Sequence, residues 1–223
     1  MLNISTSFKK TFFILSFLLL ANTQAVANTS TQAPDDMLKT ATIEMLRSVN
    51  KHRDEIKQSP NKLKSLVEEI ILPHLDFIGA SKIVMGKYWR LAETKQKVAF
   101  IKQFRLLLLR FYSSALAEYL SGNNKDLPED LIHYFPIKLN DGETSLTVRA
   151  ELQPESGKAI PIFYRVHLTS KGWKIFDVSV EGISMITTYK NNFATQFKTQ
   201  GVDALIASLV EKNKQLLANN HKK

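Results

Sequence analysis

The order of patterns along the chain predicts an α+β fold in which helices come first, an antiparallel meander follows, and helices return at the end. Three observations carry this. Apolar residues recur at helical spacing, with caps and breakers, from Pro34 to Gly122. From Ser145 to Val180 they alternate with polar residues in period two, between short turn signals. From Ile186 onward the helical spacing resumes.

Pro34, Asp35 and Asp36 place a proline and two acids at a helix start, and Leu38, Ala41, Met45 and Val49 continue its apolar stripe. Ser59-Pro60 reads as an N-cap followed by proline at the first helical position. The helix it opens carries Leu63, Leu66, Val67, Ile70 and Ile71 and stops at Pro73. Asp76 caps a third, short helix that ends near Gly86, and Thr94 caps a fourth that runs to Leu120 and closes at Gly122. In that fourth helix Phe100, Phe104, Leu107 and Phe111 fall within an arc of roughly 60° at 100° per residue. Ile101, Leu108, Leu109, Tyr112 and Leu116 widen the apolar sector to half the circumference or more. A surface helix shows a narrower stripe, so this one is covered on two sides or lines something apolar.

A weak strand over 132–139 precedes the hairpin signal Asn140-Asp141-Gly142. Leu146, Val148, Ala150 and Leu152 then alternate with Ser145, Thr147, Arg149 and Glu151. After a turn at 154–157, Ile160, Ile162, Tyr164, Val166 and Leu168 share one strand face, and past Ser170-Lys171-Gly172 so do Phe176, Val178 and Val180. Consecutive strands joined by short turns make a meander of about four strands with one strongly apolar face. Ile186, Tyr189, Phe193 and Phe197 mark the next helix, which Gly201 breaks, and Asp203 starts a last one with Leu205, Leu209 and Leu216.

The N-terminus reads as a secretory signal peptide spanning 1–27. Lys9 and Lys10 form a positive region, Thr11 to Ala21 an apolar run, and Ala25-Val26-Ala27 a small-residue cleavage site. The apolar run is far short of the roughly 20 residues that cross a bilayer. One domain, 28–223, is expected to follow and to reside in the periplasm. The chain has no cysteine, so no disulfide staples the fold and thiol chemistry is excluded. The leader removes two of the 30 basic residues and none of the 21 acidic ones, which leaves a basic remainder suited to anionic partners such as phospholipid head groups.

Catalytic and metal motifs are missing. There is no Walker loop, and Gly182-Ile183-Ser184-Met185-Ile186 lacks the second glycine of a nucleophile elbow. The five histidines have no metal-ligand spacing. Glu68 and Glu69 point apart by 100° on a helix and read as a solvated face.

Glu181-Gly182-Ile183-Ser184-Met185-Ile186-Thr187-Thr188, followed by Phe193 and Gly201-Val202-Asp203, resembles the signature of the MlaC family. Upstream, Leu72-Pro73-His74, Gly86-Lys87-Tyr88-Trp89 and Tyr112-Ser113-Ser114-Ala115-Leu116 are similar as well, as is Trp173 ahead of Phe176-Asp177. The turns and the stretch from Asn123 to Asn140 depart from it. The resemblance implies helices packed on a curved antiparallel sheet, with an apolar cavity for phospholipid acyl chains between them. It also implies a periplasmic carrier, without catalysis or cofactor, that shuttles phospholipid between an inner-membrane ABC-type complex and an outer-membrane lipoprotein–porin complex. In this reading the carrier is a monomer that maintains outer-membrane lipid asymmetry.

On that reading the expected lipid-binding residues are Phe104, Leu108 and Phe111 of the long helix and Val148, Ile160, Ile162, Tyr164 and Val166 of the middle strands. Phe176, Val178, Val180, Ile183 and Met185 complete the set. The same residues would also make an ordinary dry core. Two further readings stand beside the carrier: a cone-shaped α+β cavity enzyme acting on a small apolar substrate, for which Asp177 with Tyr164 is the one candidate acid–base pair, and a chaperone that exposes apolar surface.

Overall fold

Residues 32–122 and 125–220 are described by a computed structural model. The expected leader lies outside them. Helix α1 (Pro34–Lys51) is followed by the short α2 (Arg53–Gln58) and α3 (Pro60–Leu66), then by a π-helical segment (Val67–Ile71) and a 3₁₀ turn (Leu72–His74). Next come α4 (Phe77–Met85), α5 (Lys87–Leu91) and the long α6 (Thr94–Gly122). Five strands follow: β1 (Ile132–Tyr134), β2 (Ser145–Leu152), β3 (Ile160–Thr169), β4 (Gly172–Val180) and β5 (Ile183–Ser184). They form one antiparallel meander in sequence order. The last helix, α7 (Met185–Asn220), kinks at Gly201, where φ 82° and ψ −177° lie in a region that side chains disfavour. The α+β class read from the sequence is the fold.

Several expected signals act as read. The Asp76 side chain caps α4 by accepting from the Ile78 and Gly79 amides at 3.0 and 2.8 Å. Pro60 opens α3, although the Ser59 hydroxyl makes no capping bond. Thr94 is not a cap but the first helical residue. Glu93 precedes it, accepting from the Lys97 amide and donating its own to the Gln96 side chain. The strand expected over 132–139 stops at Tyr134, since Pro136 brings no amide to a ladder.

Two of the three apolar clusters share α6, which is about 43 Å long at 1.5 Å per residue. Its first half packs Phe100 and Phe104, both fully buried, against Val84 of α4 and Phe197 and Leu205 of α7. Its second half packs Leu120 against Val49, Ile56 and Leu63 of α1–α3. The third cluster joins Met37 and Leu38 of α1 to Val148, Val166, Trp173 and Ile175 on the sheet. The wide apolar sector of α6 is therefore the sum of two helix-packing seams and a strip between them. That strip faces the site.

The sheet register departs from simple alternation. Ile162 lies opposite Val180 and Tyr164 opposite Val178, but a bulge at Arg165/Val166 then sets Val166 opposite Ile175. One extra residue on β4 puts Trp173 and Ile175 on the face of Val166, and leaves Phe176 against Arg165 and His167 instead.

Candidate functional site

The chain offers an apolar pocket where the β4 ladder is incomplete. At one end Leu75 bridges Ile175, with the Asp76 amide donating to the Ile175 carbonyl at 2.8 Å; at the other end β5 pairs with Ser179 and Val180. Between these points the edge of β4 has no strand beside it, and α6 passes over the gap. The result is a cavity of about 230 Å³. Leu108, Leu109 and Leu116 of α6 line one wall, Ile175, Phe176 and Val178 of β4 another. Val67 and Ile71 of the π-helical segment, Phe77 and Ala80 of α4, and Met185 and Ile186 of α7 close the remaining sides. The π geometry widens the turn by one residue before Pro73, and Val67 and Ile71 stand at its two ends.

Asp177 is the buried charge in this wall, with a wholly inaccessible side chain. The Ile186 amide donates to its Oδ1 at 3.1 Å and the Ser184 hydroxyl to its Oδ2 at 2.7 Å, while Arg165 Nη1 stands 3.6 Å away. Ser184 in turn accepts from the Thr187 amide at 3.0 Å. The carboxylate thus sits at the N-terminus of α7, where the unpaired amides and the helix dipole favour negative charge, and fastens that helix to β4. Asp76 anchors the neighbouring corner, with His167 Nε2 2.9 Å from its Oδ2.

Beside the pocket lies an outer groove of about 510 Å³, lined by Phe111, Val180 and Ile183 together with Lys212 and Asn192. Tyr112 and Met185 border both spaces and so form the partition between them. Tyr112 of α6 stands beside Tyr189 of α7, and burial together with this neighbour pushes the Tyr189 pKa well above the ordinary phenol value. The groove leaves apolar surface in water: Phe111 is 48% exposed and Ile183 67%.

Of the residues expected to bind lipid, Leu108, Phe176, Val178 and Met185 line the pocket, and Phe111, Val180 and Ile183 line the groove. The others do not meet there. Phe104 is fully buried among Phe100, Tyr189 and Phe193, because its position faces the α7 seam. Val148 and Val166 are fully buried against α1, with Tyr164 packed on the same cluster. Ile162 is buried opposite Ala150 and Val180, and Ile160 lies opposite Leu152 at the start of β3, so neither borders either space. The bulge accounts for one part of this: it moves Phe176 to the face of Arg165 and His167, while Val178 stays on the face of Tyr164 and packs on the α1 cluster as well.

Sequence reasoning did not place Ile71, Ser113 or Ile175 at the site, and offered Asp177 only in the acid–base pair of the enzyme reading. Tyr112, Ser113 and Leu116 were visible as a motif and as part of the broad sector of α6, but no periodicity signals a π turn or an open strand edge. The acid–base pair of the enzyme reading does not form. Tyr164 lies opposite Val178 and Asp177 opposite Arg165, so the two side chains leave opposite faces of the sheet. Tyr164 stacks on Tyr134, and burial beside that phenol raises its pKa. Among the described residues no group of three or more His, Asp or Glu side chains is placed to hold a metal.

Comparison with known proteins places these features in a family. The chain is 30% identical over 173 residues to a toluene tolerance protein of Pseudomonas putida, covering 77% of this chain and 76% of that one. It is 28% identical over 218 residues to the intermembrane phospholipid transport system binding protein MlaC of Haemophilus influenzae, covering 95% and 97%. A phospholipid-binding protein from Ralstonia solanacearum, solved in complex with a phospholipid, superposes with a TM-score of 0.70 at 30% identity over 81% of this chain and 97% of that one. The family model described as MlaC protein matches residues 39–211, and the chain belongs to the MlaC family.

Proposed function

We propose that this protein is a periplasmic phospholipid carrier, which takes acyl chains into the pocket beside β4 and moves lipid between the two membranes to maintain outer-membrane asymmetry. The observation that carries the reading is an apolar cavity at an unpaired sheet edge in a fold shared with a relative that was solved with phospholipid bound. Burying a methylene contributes about 0.8 kcal/mol, so an acyl chain of about sixteen carbons represents roughly 13 kcal/mol of transfer free energy. A bilayer supplies the same term, so a carrier competes with it only by surrounding the chain with hydrocarbon. Leu108, Leu116, Ile71 and Val178 provide such surroundings from three elements. The outer groove continues the apolar surface across the Tyr112–Met185 partition.

The role is binding and release, and it needs no cofactor. The named relatives are binding and transport proteins. Export follows from the leader at 1–27, cleaved after Ala27, and no described helix is long and apolar enough to cross a membrane. An inner-membrane ABC-type complex and an outer-membrane lipoprotein–porin complex are the partners this role requires, with the exposed groove at Phe111 and Ile183 as a surface for the exchange.

Native mass spectrometry of protein purified from the periplasmic fraction tests the reading. The expected species begins at Asn28 and carries phospholipid. A small apolar metabolite or a peptide in its place would refute the carrier reading and support an enzyme or a chaperone, and a chain retaining Met1 in the membrane fraction would refute the soluble carrier.

A further inference from the structure

One polar group in the pocket wall has no partner. Ser113 lies on α6 between Leu109 and Leu116; it is 6% exposed, borders the cavity, and its hydroxyl makes no hydrogen bond. A serine or threonine inside a helix commonly returns its hydroxyl to a carbonyl four residues back, as Ser65 does to Asn61 at 3.1 Å and Thr199 to Thr195 at 2.9 Å. Ser113 does not. The two carboxylates of the wall are engaged. Asp76 accepts from two amides and faces His167, and Asp177 accepts from Ile186 and Ser184, while Tyr112 is 42% exposed and open to water. An ionised carboxylate has only acceptors to offer. Among the described residues, Ser113 is thus the wall's buried hydroxyl without a partner.

A ligand made only of methylenes leaves that donor unsatisfied, whereas one that brings an acceptor to it gains a hydrogen bond where water does not compete. In a phospholipid the acceptor adjoining the hydrocarbon is the carbonyl oxygen of the acyl ester. We propose that Ser113 is a specificity-determining residue that donates to this carbonyl, so that the pocket selects ester-linked over ether-linked lipid. The proposal rests on the phospholipid-carrier reading and adds the linkage chemistry to it.

The test offers the delipidated mature protein equimolar vesicles of two phosphatidylglycerols of equal chain length, one with ester-linked and one with ether-linked chains, and weighs what it extracts by mass spectrometry. A neutral hydrogen bond corresponds to about five-fold in an equilibrium constant, so wild type is expected to take the ester form by about that ratio. Ser113→Ala brings the ratio to about one, while Ser113→Thr, which keeps the hydroxyl, retains the preference. Ser81→Ala serves as the control, because Ser81 is an equally unpartnered buried hydroxyl that borders neither space; it leaves the ratio at the wild-type value. The same ratio in wild type and Ser113→Ala overturns the proposal and leaves the carrier reading intact. Uptake of neither lipid by wild type overturns both.

Discussion

Asp177 and Phe104 show how far a single side chain's role depends on what covers it. Asp177 satisfies the Ile186 amide and the Ser184 hydroxyl in a place water does not reach. Its replacement by alanine is expected to cost about 1–3 kcal/mol in chemical denaturation, the penalty of buried donors left unpaired. An unchanged midpoint would show that water replaces the carboxylate and that α7 is not fastened there. In the strand alternation this residue reads as surface, because the alternation shows which residues share a face but not that α4 and α7 cover the second face as well. Phe104 errs in the opposite direction: its place on the apolar arc of α6 is legible, and the element it faces is not. Packed against Phe100, Tyr189 and Phe193, Phe104→Ala is expected to destabilise by about 3–5 kcal/mol, with lipid content per folded molecule unchanged. Selective loss of lipid in a stable protein would return Phe104 to the pocket.

Among the elements, β4 divides its side chains between a core and a cavity, and α7 depends on one kink. Val166, opposite Ile175, is fully buried in the sheet–α1 core, whereas Val178, two β4 positions past the bulge, packs on the edge of that core and also borders the pocket. Val166→Trp is expected to lose about 1–3 kcal/mol or more, since a close-packed site must shift neighbours to admit a larger ring. Val178→Trp is expected to leave the thermal midpoint of delipidated protein near that of wild type while sharply reducing co-purified phospholipid. Equal destabilisation by both would make Val178 core and move the acyl site toward Leu108 and Leu116. The meander and its turns are legible in the sequence, from the alternation and from Asn140-Asp141-Gly142 onward; the bulge that separates these two valines is not, because one extra residue in a run of apolar side chains leaves no mark on composition. Gly201 is legible as a break. Its φ of 82° and ψ of −177° are nearly confined to glycine, and open space surrounds the position where a Cβ would stand. Gly201→Ala is therefore expected to cost about 1–3 kcal/mol from backbone strain alone. A neutral substitution would mean that the two halves of α7 re-pack as a straighter helix without cost.

Across the described residues, two apolar clusters share α6 and a third joins α1 to the sheet, and the pocket lies beside the strip of α6 between its two seams. The helix–sheet–helix order predicts the class of such a fold from local patterns. The pocket depends instead on where Leu75 bridges β4, a contact of long sequence separation that no local spacing encodes, and on the tight hairpin that sets β5 beside the other end of β4. The family resemblance implies a cavity, and the apolar pocket of this fold lies at the β4 edge rather than across the even-numbered face. The central claim, that phospholipid tails occupy this pocket, is tested most directly by photo-crosslinking. A photoreactive amino acid is placed in turn at Leu108, Val178 and Ile162 in protein carrying its natural ligand, and phospholipid adducts are weighed by mass spectrometry. Leu108 and Val178, which border the pocket, are expected to label phospholipid, and Ile162, which borders neither space, is expected to remain unlabelled; labelling confined to Ile162, or equal at all three positions, would contradict the account.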